Sequence, residues 1–197
     1  MRLLNSLLGR IGLKAKPSSN YPVDIDVPEI ANSVYDQDGL RSIHNHDFKW
    51  QPDFSAAYER GVKATGMDYQ WHWRVHVGLW AASIAAKLPG DFVECGVNKG
   101  FLSSSIMHYL DWNSRDKTFY LLDTFSGLDL RYVSEQELAE GAVEKNKSMI
   151  DTGMYTVDLE PVRRNFEEWN NVRIIQGQSL KLSLRLIQTR LPLPASI

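Results

Sequence analysis

The sequence predicts an α/β fold built on a parallel sheet, because two short apolar runs each carry a carboxylate at or near their end. The first run, residues 91–97, contains Glu94 and leads into a turn with two glycines, and Asp123 directly follows the second run, residues 118–122. A parallel strand that is buried on both faces has to be apolar, and its carboxyl end opens into the crevice where ligands bind. The order strand, glycine turn, helix, strand and acid is that of a βαβ nucleotide-binding unit.

The other elements are predicted from periodicity and from start and stop signals. Apolar side chains recur at intervals of three and four through residues 67–88, and Pro89 and Gly90 end this predicted helix. Ser134 and Glu137 form a capping-box pattern, which predicts the start of a helix. The complete set is helices over residues 54–65, 67–88, 100–110, 134–149 and 159–169, and strands over 91–97, 118–122 and 172–175. The β-α-β-α-β order after residue 90 is half of a doubly wound parallel sheet.

Length and composition are those of an ordinary globular domain. The 197 residues suffice for one good core, so one domain is expected. With 43% hydrophobic and 23% charged residues and a net charge of −2, the chain gives no reason to expect nucleic acid as a partner. Cys95, the single cysteine, is interpreted as a small core residue of a buried strand. No disulfide can form within the chain, which fits a reducing, cytoplasmic compartment.

The N-terminal part is predicted to be an arm. Residues 1–16 carry basic but no acidic side chains, and their apolar residues recur at helical spacing. A packing or frayed helix is favoured there over a membrane-surface helix, and the segment resembles neither a signal peptide nor a transmembrane span. Residues 17–53 are rich in Pro, Asn and Asp and are interpreted as an irregular arm or lid. We therefore divide the chain into an N-terminal arm with a lid-like helical region (1–66), a ligand-binding α/β core (67–180) and an atypical tail (181–197).

The glycine turn indicates which ligand the crevice would suit. The run Gly96-Val-Asn-Lys-Gly100 is not the dinucleotide pattern, because Asn98 stands where a second glycine would let a pyrophosphate approach. A ligand without phosphates, held by a ribose and a charged amino-acid tail, fits better, and S-adenosylmethionine is such a ligand. Glu94 and Gly96 would then lie under the methionyl group, and Asp123 would accept the ribose hydroxyls. The alternative is that Glu94 only caps a helix and Asp123 only starts a turn.

Several segments together resemble one enzyme family. Residues 93–100, 121–128, 162–166 and 172–177 read Val-Glu-Cys-Gly-Val-Asn-Lys-Gly, Leu-Leu-Asp-Thr-Phe-Ser-Gly-Leu, Val-Arg-Arg-Asn-Phe and Val-Arg-Ile-Ile-Gln-Gly. In this order they resemble the macrocin O-methyltransferase family, over about residues 67–180. The resemblance implies a Rossmann-like class I methyltransferase sheet, S-adenosylmethionine as cofactor, and methyl transfer to a hydroxyl of a sugar-like small molecule.

The resemblance also implies roles for individual residues. The candidate cofactor-binding residues are Glu94, Gly96, Asn98, Gly100, Asp123, Ser126, Gln178 and Ser179. The first four belong to the cofactor loop, Ser126 would lie with Asp123 by the ribose, and the last two would lie by the adenine. Arg74, on the helix before the first strand, also matches a family position.

The chain departs from the family pattern after residue 177. The resemblance implies a magnesium-dependent reaction whose acidic ligands and base follow strands four and five, but this sequence has no carboxylate after Glu168. Magnesium prefers oxygen ligands, usually carboxylates, so we assign no metal ligand and no catalytic residue. The sheet is expected to be incomplete at its C-terminal end, and a shifted reading frame and a natural end both stay open for the tail. An open apolar edge favours association, which leaves a homo-oligomer open.

Two histidine pairs are candidates for metal ligands, although a structural role is favoured for both. His44 and His46 lie in the irregular arm, and His72 and His76 are four residues apart on a predicted helix that lacks the glutamate of H-E-x-x-H. Residues 71–73, Trp-His-Trp, could form a wall of an acceptor pocket, because aromatic faces suit sugar rings. Core packing of at least one of these tryptophans is favoured.

Three functions are weighed. The first is methyl transfer from S-adenosylmethionine to a hydroxyl of a sugar or similar small acceptor. The second is a non-catalytic cofactor-binding or interaction fragment. The third, a nicotinamide-dependent reductase, is disfavoured by Asn98 in the glycine turn. Because the family's metal ligands and base are not found, we expect this chain to show little or no methyl transfer.

Overall fold

The computed structural model describes residues 34–177, and its central element is a three-stranded parallel sheet. In chain order the strands and α-helices are β1 Tyr35–Gln37, β2 Leu40–Ser42, α1 Pro52–Thr65, α2 His72–Ala85, β3 Phe92–Cys95, α3 Phe101–Tyr109, β4 Phe119–Asp123, α4 Glu135–Ala139, α5 Ala142–Asp151, α6 Leu159–Phe166 and β5 Val172–Gln176. The α/β fold class and the β-α-β-α-β order are confirmed. The predictions for residues 1–33, for Gln178 and Ser179, and for the 181–197 tail lie outside the described residues.

Strand β4 lies at the centre of the sheet and pairs in parallel with β3 on one side and β5 on the other. The register places Glu94 beside Leu121 and Asp123 beside Gln176. Because residues two apart on a strand share a face, Glu94 and Asp123 lie on the same face of the sheet. Among the described strands β3 and β5 lie at the two edges of this sheet.

Helices α3 and α6 cover the face that carries Glu94. The packed side chains include Phe92, Phe101, Ile106, Met107, Phe119, Leu121, Val162 and Phe166. The opposite face is different at β3, where Val93 is 52% exposed and Cys95 is also exposed. The prediction that this strand is buried on both faces, with Cys95 in the core, is therefore wrong. Strand alternation turns both residues away from the face on which α3 and α6 pack.

Helix α1 packs closely against α3. A Cβ atom at Gly61 of α1 would lie 2.4 Å from Ser105 Oγ and 2.7 Å from Phe101 Cδ1, so only glycine allows this approach. Arg60 reaches from α1 to α6, where its Nη2 donates to the main-chain and side-chain oxygens of Asn165 at 2.6 and 2.9 Å. The two contacts fix α1 over both α3 and α6, next to the start of α3.

The helix predicted over residues 67–88 begins only at His72. Asp68 Oδ1 accepts hydrogen bonds from the Gln70 N–H at 2.8 Å and from the Tyr58 hydroxyl at 2.5 Å. Gln70 also has a φ of 57°, which is a left-handed conformation. These contacts fix a turn before the helix, which the apolar periodicity did not indicate.

The helix predicted over residues 134–149 is two helices. Its start is as predicted, because the capping box between Ser134 and Glu137 is formed. Gly141, with a φ of 82°, then separates α4 from α5. A left-handed residue cannot continue a right-handed helix, so the two segments are distinct.

The described part of the predicted irregular arm contains a β-hairpin. Asp38 and Gly39 have φ values of 52° and 70° between β1 and β2, as a two-residue hairpin turn requires. The Asp-Gly pair was a sequence signal for this hairpin that our prediction missed. Among residues 34–177, none of the helices has the length and apolar character that a membrane crossing requires.

Candidate ligand site at the carboxyl edge of the sheet

A glycine turn follows β3 and leads into α3. Gly96, Asn98 and Gly100 all have left-handed φ values, of 82°, 51° and 87°. A Cβ atom at Gly100 would lie 2.4 Å from Phe166 Cζ, whereas a Cβ atom at Gly96 would meet no atom within 4 Å. Gly100 is therefore needed for packing against α6, and Gly96 borders open space at the edge of the sheet.

Asp123, the last residue of β4, holds the turn in place. Its Oδ2 accepts the Asn98 N–H at 2.7 Å, and its Oδ1 accepts the Phe125 N–H at 2.8 Å. Thr124 Oγ1 also lies 3.4 Å from Oδ1, but its single hydrogen is better placed on Gly127 O at 2.8 Å. Because a carboxylate oxygen has two lone pairs, both oxygens then keep capacity for a hydroxyl donor from a ligand. Asp123 therefore holds the turn, which is the kind of structural role that the alternative interpretation expected. It can still accept a hydrogen bond from a ligand.

Glu94 lies on β3, behind Asp123 on the same face of the sheet. Its carboxyl group accepts a hydrogen bond from the Ser103 hydroxyl in the first turn of α3. Burial raises the pKa of Glu94 to about 7; the bond from Ser103 opposes this rise, and the negative charge of Asp123 adds to it. Glu94 therefore changes charge near neutral pH, and a cation that binds beside it would favour the ionised form.

Ser126 is the remaining predicted site residue among the described residues. Ser126 is exposed in the turn after β4. At the end of β5, the Gly177 N–H donates to the Asp123 main-chain oxygen at 2.9 Å, and Gln176 Nε2 donates to Thr124 O at 3.2 Å. The structure thus brings the ends of all three strands together around Glu94, Gly96 and Asp123.

Sequence reasoning missed the contacts between the glycine turn and the segment 153–156. Asn98 Nδ2 donates to Met154 O at 2.7 Å, and Asn98 Oδ1 accepts the Thr156 N–H at 2.8 Å. Lys99 Nζ donates to Gly153 O beside them. The usable signal was the asparagine between two glycines, since Asn tolerates a left-handed conformation.

A cavity of about 360 Å³ adjoins the turn on the helical side of the molecule. It is lined by Ala64, Thr65, Gly66, Lys99, Thr156, Pro161 and Val162. The end of α1, the turn and the start of α6 therefore surround one space. Lys99 and Thr156 contribute polar groups to it from the two segments that Asn98 joins.

Both residues of the second histidine pair, as well as Arg74, belong to an aromatic cluster. The His72 ring stacks on Tyr58 at 4.1 Å between centroids, and the His76 ring stacks on Phe48 at 4.0 Å. Burial lowers the pKa of both histidines, as expected for neutral rings in a core. Arg74 forms two 3.0 Å hydrogen bonds to the Asp38 carboxylate in the hairpin turn.

The aromatic cluster concerns two predictions: that residues 71–73 form a wall of an acceptor pocket, and that the histidines bind a metal ion. Trp71 lies under the Arg74 guanidinium at 4.4 Å, and Trp73 packs edge-on against Phe48 at 4.8 Å. Both tryptophan side chains thus have packing roles near the hairpin. Within residues 34–177, the His, Cys, Asp and Glu side chains do not form any group of three that could hold a metal ion.

The fold is a Rossmann-like α/β fold, with two acids and a glycine turn at the carboxyl edge of its parallel sheet. Residues 78–181, slightly more than half of the chain, match the family model described as macrocin-O-methyltransferase (TylF), and the chain belongs to that family. The family assignment made from the sequence is confirmed.

One similar solved structure is described as that of the O-methyltransferase NovP. It shares 26% sequence identity with this chain, with a TM-score of 0.41 over 53% of this chain and 44% of the NovP chain. The match therefore spans less than half of that protein. No curated protein matches the chain.

Proposed function

We propose that this chain binds S-adenosylmethionine in the crevice between Glu94, Gly96 and Asp123, and that it serves methyl transfer to a hydroxyl group of a sugar or a similar small molecule. The observation that carries the proposal is the placement of two carboxyl groups on one sheet face around a glycine that borders open space. Membership in the O-methyltransferase family supports the reaction class.

Each group suits one part of this ligand. The two oxygens of Asp123 can accept hydrogen bonds from the two ribose hydroxyls, because each retains a lone pair. Glu94, with its pKa near neutrality, would ionise beside the ammonium of the methionyl group and form a charge-assisted hydrogen bond. Gly96 leaves space for a ligand backbone to approach the turn.

The same geometry argues against a dinucleotide. In a pyrophosphate site the N–H groups of the turn point at the phosphates. Here the Asn98 N–H is used by Asp123, so a carboxylate lies where a pyrophosphate would bind. The Asp123 carboxylate and a pyrophosphate bound at this turn would repel each other, which disfavours NAD as the ligand.

Transfer of a methyl group to a hydroxyl places few chemical demands on the protein. The acceptor oxygen displaces the sulfur in line, so the protein mainly positions the two substrates, and a base takes the hydroxyl proton. The acids of residues 34–177 do not cluster as magnesium ligands, so we derive no step through that metal. We assign no base among the described residues.

Calorimetric titration with S-adenosylhomocysteine, S-adenosylmethionine and NAD tests the cofactor assignment. We expect both sulfur compounds to bind more tightly than NAD, and tighter binding of NAD would overturn the assignment. A radiolabelled methyl-transfer assay then separates an enzyme from the second candidate, a cofactor-binding or interaction fragment. Turnover by the purified chain would exclude it.

The other expectations remain predictions. They are a sugar-like acceptor, a cytoplasmic location and self-association of the chain. Self-association would involve an open sheet edge, and β3 is the edge strand with exposed apolar side chains. Light scattering at several protein concentrations would measure it.

A further inference from the structure

Asn98 contacts three different partners with its backbone and its side chain. Its N–H donates to Asp123 Oδ2, its Nδ2 donates to Met154 O, and its Oδ1 accepts the Thr156 N–H, all at 2.7 to 2.8 Å. The side-chain amide is thus engaged at both ends by main-chain groups of one segment. It is not arranged as a ligand contact, although the residue lies in the middle of the turn.

Asparagine suits both the left-handed backbone and the two side-chain hydrogen bonds at residue 98. A φ of 51° is unfavourable for most side chains, but asparagine tolerates it better than others. Asparagine also offers a donor and an acceptor on a short side chain, whereas an ionised aspartate has acceptors only. A glycine would keep the backbone conformation and lose both side-chain bonds.

We propose that Asn98 is a positioning residue that ties the segment 153–156 and the carboxylate of Asp123 to one turn. Ligand binding at the turn and the order of the segment then depend on each other, and this coupling is reciprocal. The inference rests on the proposed function for the identity of the ligand. The hydrogen bonds that link the turn to the segment and to Asp123 are present in the protein without any ligand. Lys99 strengthens the tie through its bond to Gly153 O.

The hydrogen bonds between the turn and the segment also shape the cavity beside the turn. Thr156 and Lys99 both line that space, and each is held by a bond that crosses between the turn and the segment. On the other side of the turn, Asn165 Nδ2 donates to Lys99 O at 3.1 Å. Release of the side chain of Asn98 would therefore loosen one wall of the cavity while α6 still holds the other.

A matched pair of variants tests the proposal. Asn98→Gly removes the two side-chain bonds and keeps the left-handed backbone. Asn113→Ala is the control, because Asn113 also bridges two main-chain groups, donating to Glu168 O at 2.9 Å and accepting the Asn170 N–H at 2.7 Å. None of these control contacts involves the glycine turn.

The first readout is amide hydrogen exchange of the proteins without ligand. We expect the Thr156 amide to exchange at least about tenfold faster in Asn98→Gly, and the Phe125 amide, which donates to Asp123, to exchange faster as well. Asn113→Ala should leave both amides as in the wild type. Unchanged exchange at Thr156 and Phe125 in Asn98→Gly would overturn the proposal whatever the ligand is.

The second readout is titration with S-adenosylhomocysteine. We expect the dissociation constant to rise about tenfold in Asn98→Gly and to stay unchanged in Asn113→Ala. Asn98→Asp keeps the acceptor for Thr156 but sets a carboxylate oxygen against Met154 O, so we expect a loss at least as large as in Asn98→Gly. Equal losses in the glycine variant and the control would show a merely structural role. If the wild type itself fails to bind S-adenosylhomocysteine, the proposed function is wrong. The exchange result would still show whether Asn98 holds the segment 153–156 and Asp123 in place.

Discussion

The carboxyl edge of the sheet and the aromatic cluster under the hairpin are built in opposite ways. At the edge, left-handed residues and hydrogen bonds to a carboxylate hold a turn that borders open space at Gly96. In the cluster, rings fill the space: Phe48 contacts Phe54, Trp73 and His76 with centroid distances of 4.0 to 5.0 Å.

The difference separates binding chemistry from packing. Left-handed backbone conformations cost stability. Of the two regions compared, the edge has such conformations beside open space at Gly96, together with a carboxylate that can still accept a hydrogen bond. The cluster has histidines and tryptophans, which suggest a site when read in the sequence, but stacking occupies their faces. Changes in the cluster should therefore alter stability, whereas changes at the edge should alter ligand affinity.

The largest effect is expected for Phe48→Ala. Phe48 is 8% exposed, and its removal leaves a cavity among three rings. We expect the free energy of unfolding to fall by about 3–5 kcal/mol, measured by urea denaturation, with the affinity for S-adenosylhomocysteine unchanged in the folded protein. Trp50→Ala is the control, since Trp50 is 75% exposed and should change stability by less than about 0.5 kcal/mol. A large loss of affinity in Phe48→Ala would show that the cluster belongs to the site.

Alanine at the two glycines of the turn should give contrasting results. Gly100→Ala forces a Cβ atom against Phe166 in a left-handed conformation, so we expect a loss of about 2–4 kcal/mol in the free energy of unfolding. Gly96→Ala has the same backbone problem without a clash, and about 1–2 kcal/mol is expected. The affinity for S-adenosylhomocysteine should distinguish them further, because the methyl group at residue 96 enters the space proposed for the ligand. Equal stability losses would contradict the packing role assigned to Gly100.

The pH dependence of stability should sharpen the role of Glu94. Its pKa is raised from 4.5 to about 7 in the folded protein, so folding favours the protonated form. The contribution of Glu94 to stability is then fully present below about pH 4.5 and is lost as the pH rises through about 7, by up to about 3 kcal/mol. The difference in free energy of unfolding between wild type and Glu94→Gln, followed from pH 4.5 to 8, isolates this group from the histidines. A flat difference would mean that Glu94 is not desolvated.

Sequence reasoning predicted the parts of the edge that depend on strand position. An acid at the end of a buried parallel strand and a glycine turn after the preceding strand meet at the ligand edge in any such sheet, so Glu94, Gly96 and Asp123 could be placed together. The bond from Ser103 to Glu94 depends on how α3 docks on the sheet, which no local pattern encodes.

Other features escaped prediction for specific reasons. The partners of the Asn98 side chain lie more than 50 residues away in the chain, so only the tertiary fold brings them together. A parallel strand covered on both faces would bury Cys95, but strand alternation turns Cys95 and Val93 to the face of β3 opposite α3 and α6, where both are exposed. The hairpin turn at Asp38 and Gly39 was a readable local signal that composition obscured.

The last prediction concerns ligand binding by the two acids. Asp123→Ala and Glu94→Ala should each weaken the binding of S-adenosylhomocysteine by about 1–3 kcal/mol, the scale of a lost charge-assisted hydrogen bond. Asp129→Asn is a matched control, because Asp129 follows the same strand but pairs with Arg131 at 2.7 Å. Calorimetry at pH 8, where Glu94 is mostly ionised, measures the three variants on equal terms. Since Asp123 also holds the Asn98 N–H, its loss should exceed that of Glu94. Unchanged affinity in both acid variants would mean that these carboxylates only support the fold, and the edge would then resemble the aromatic cluster in function as well.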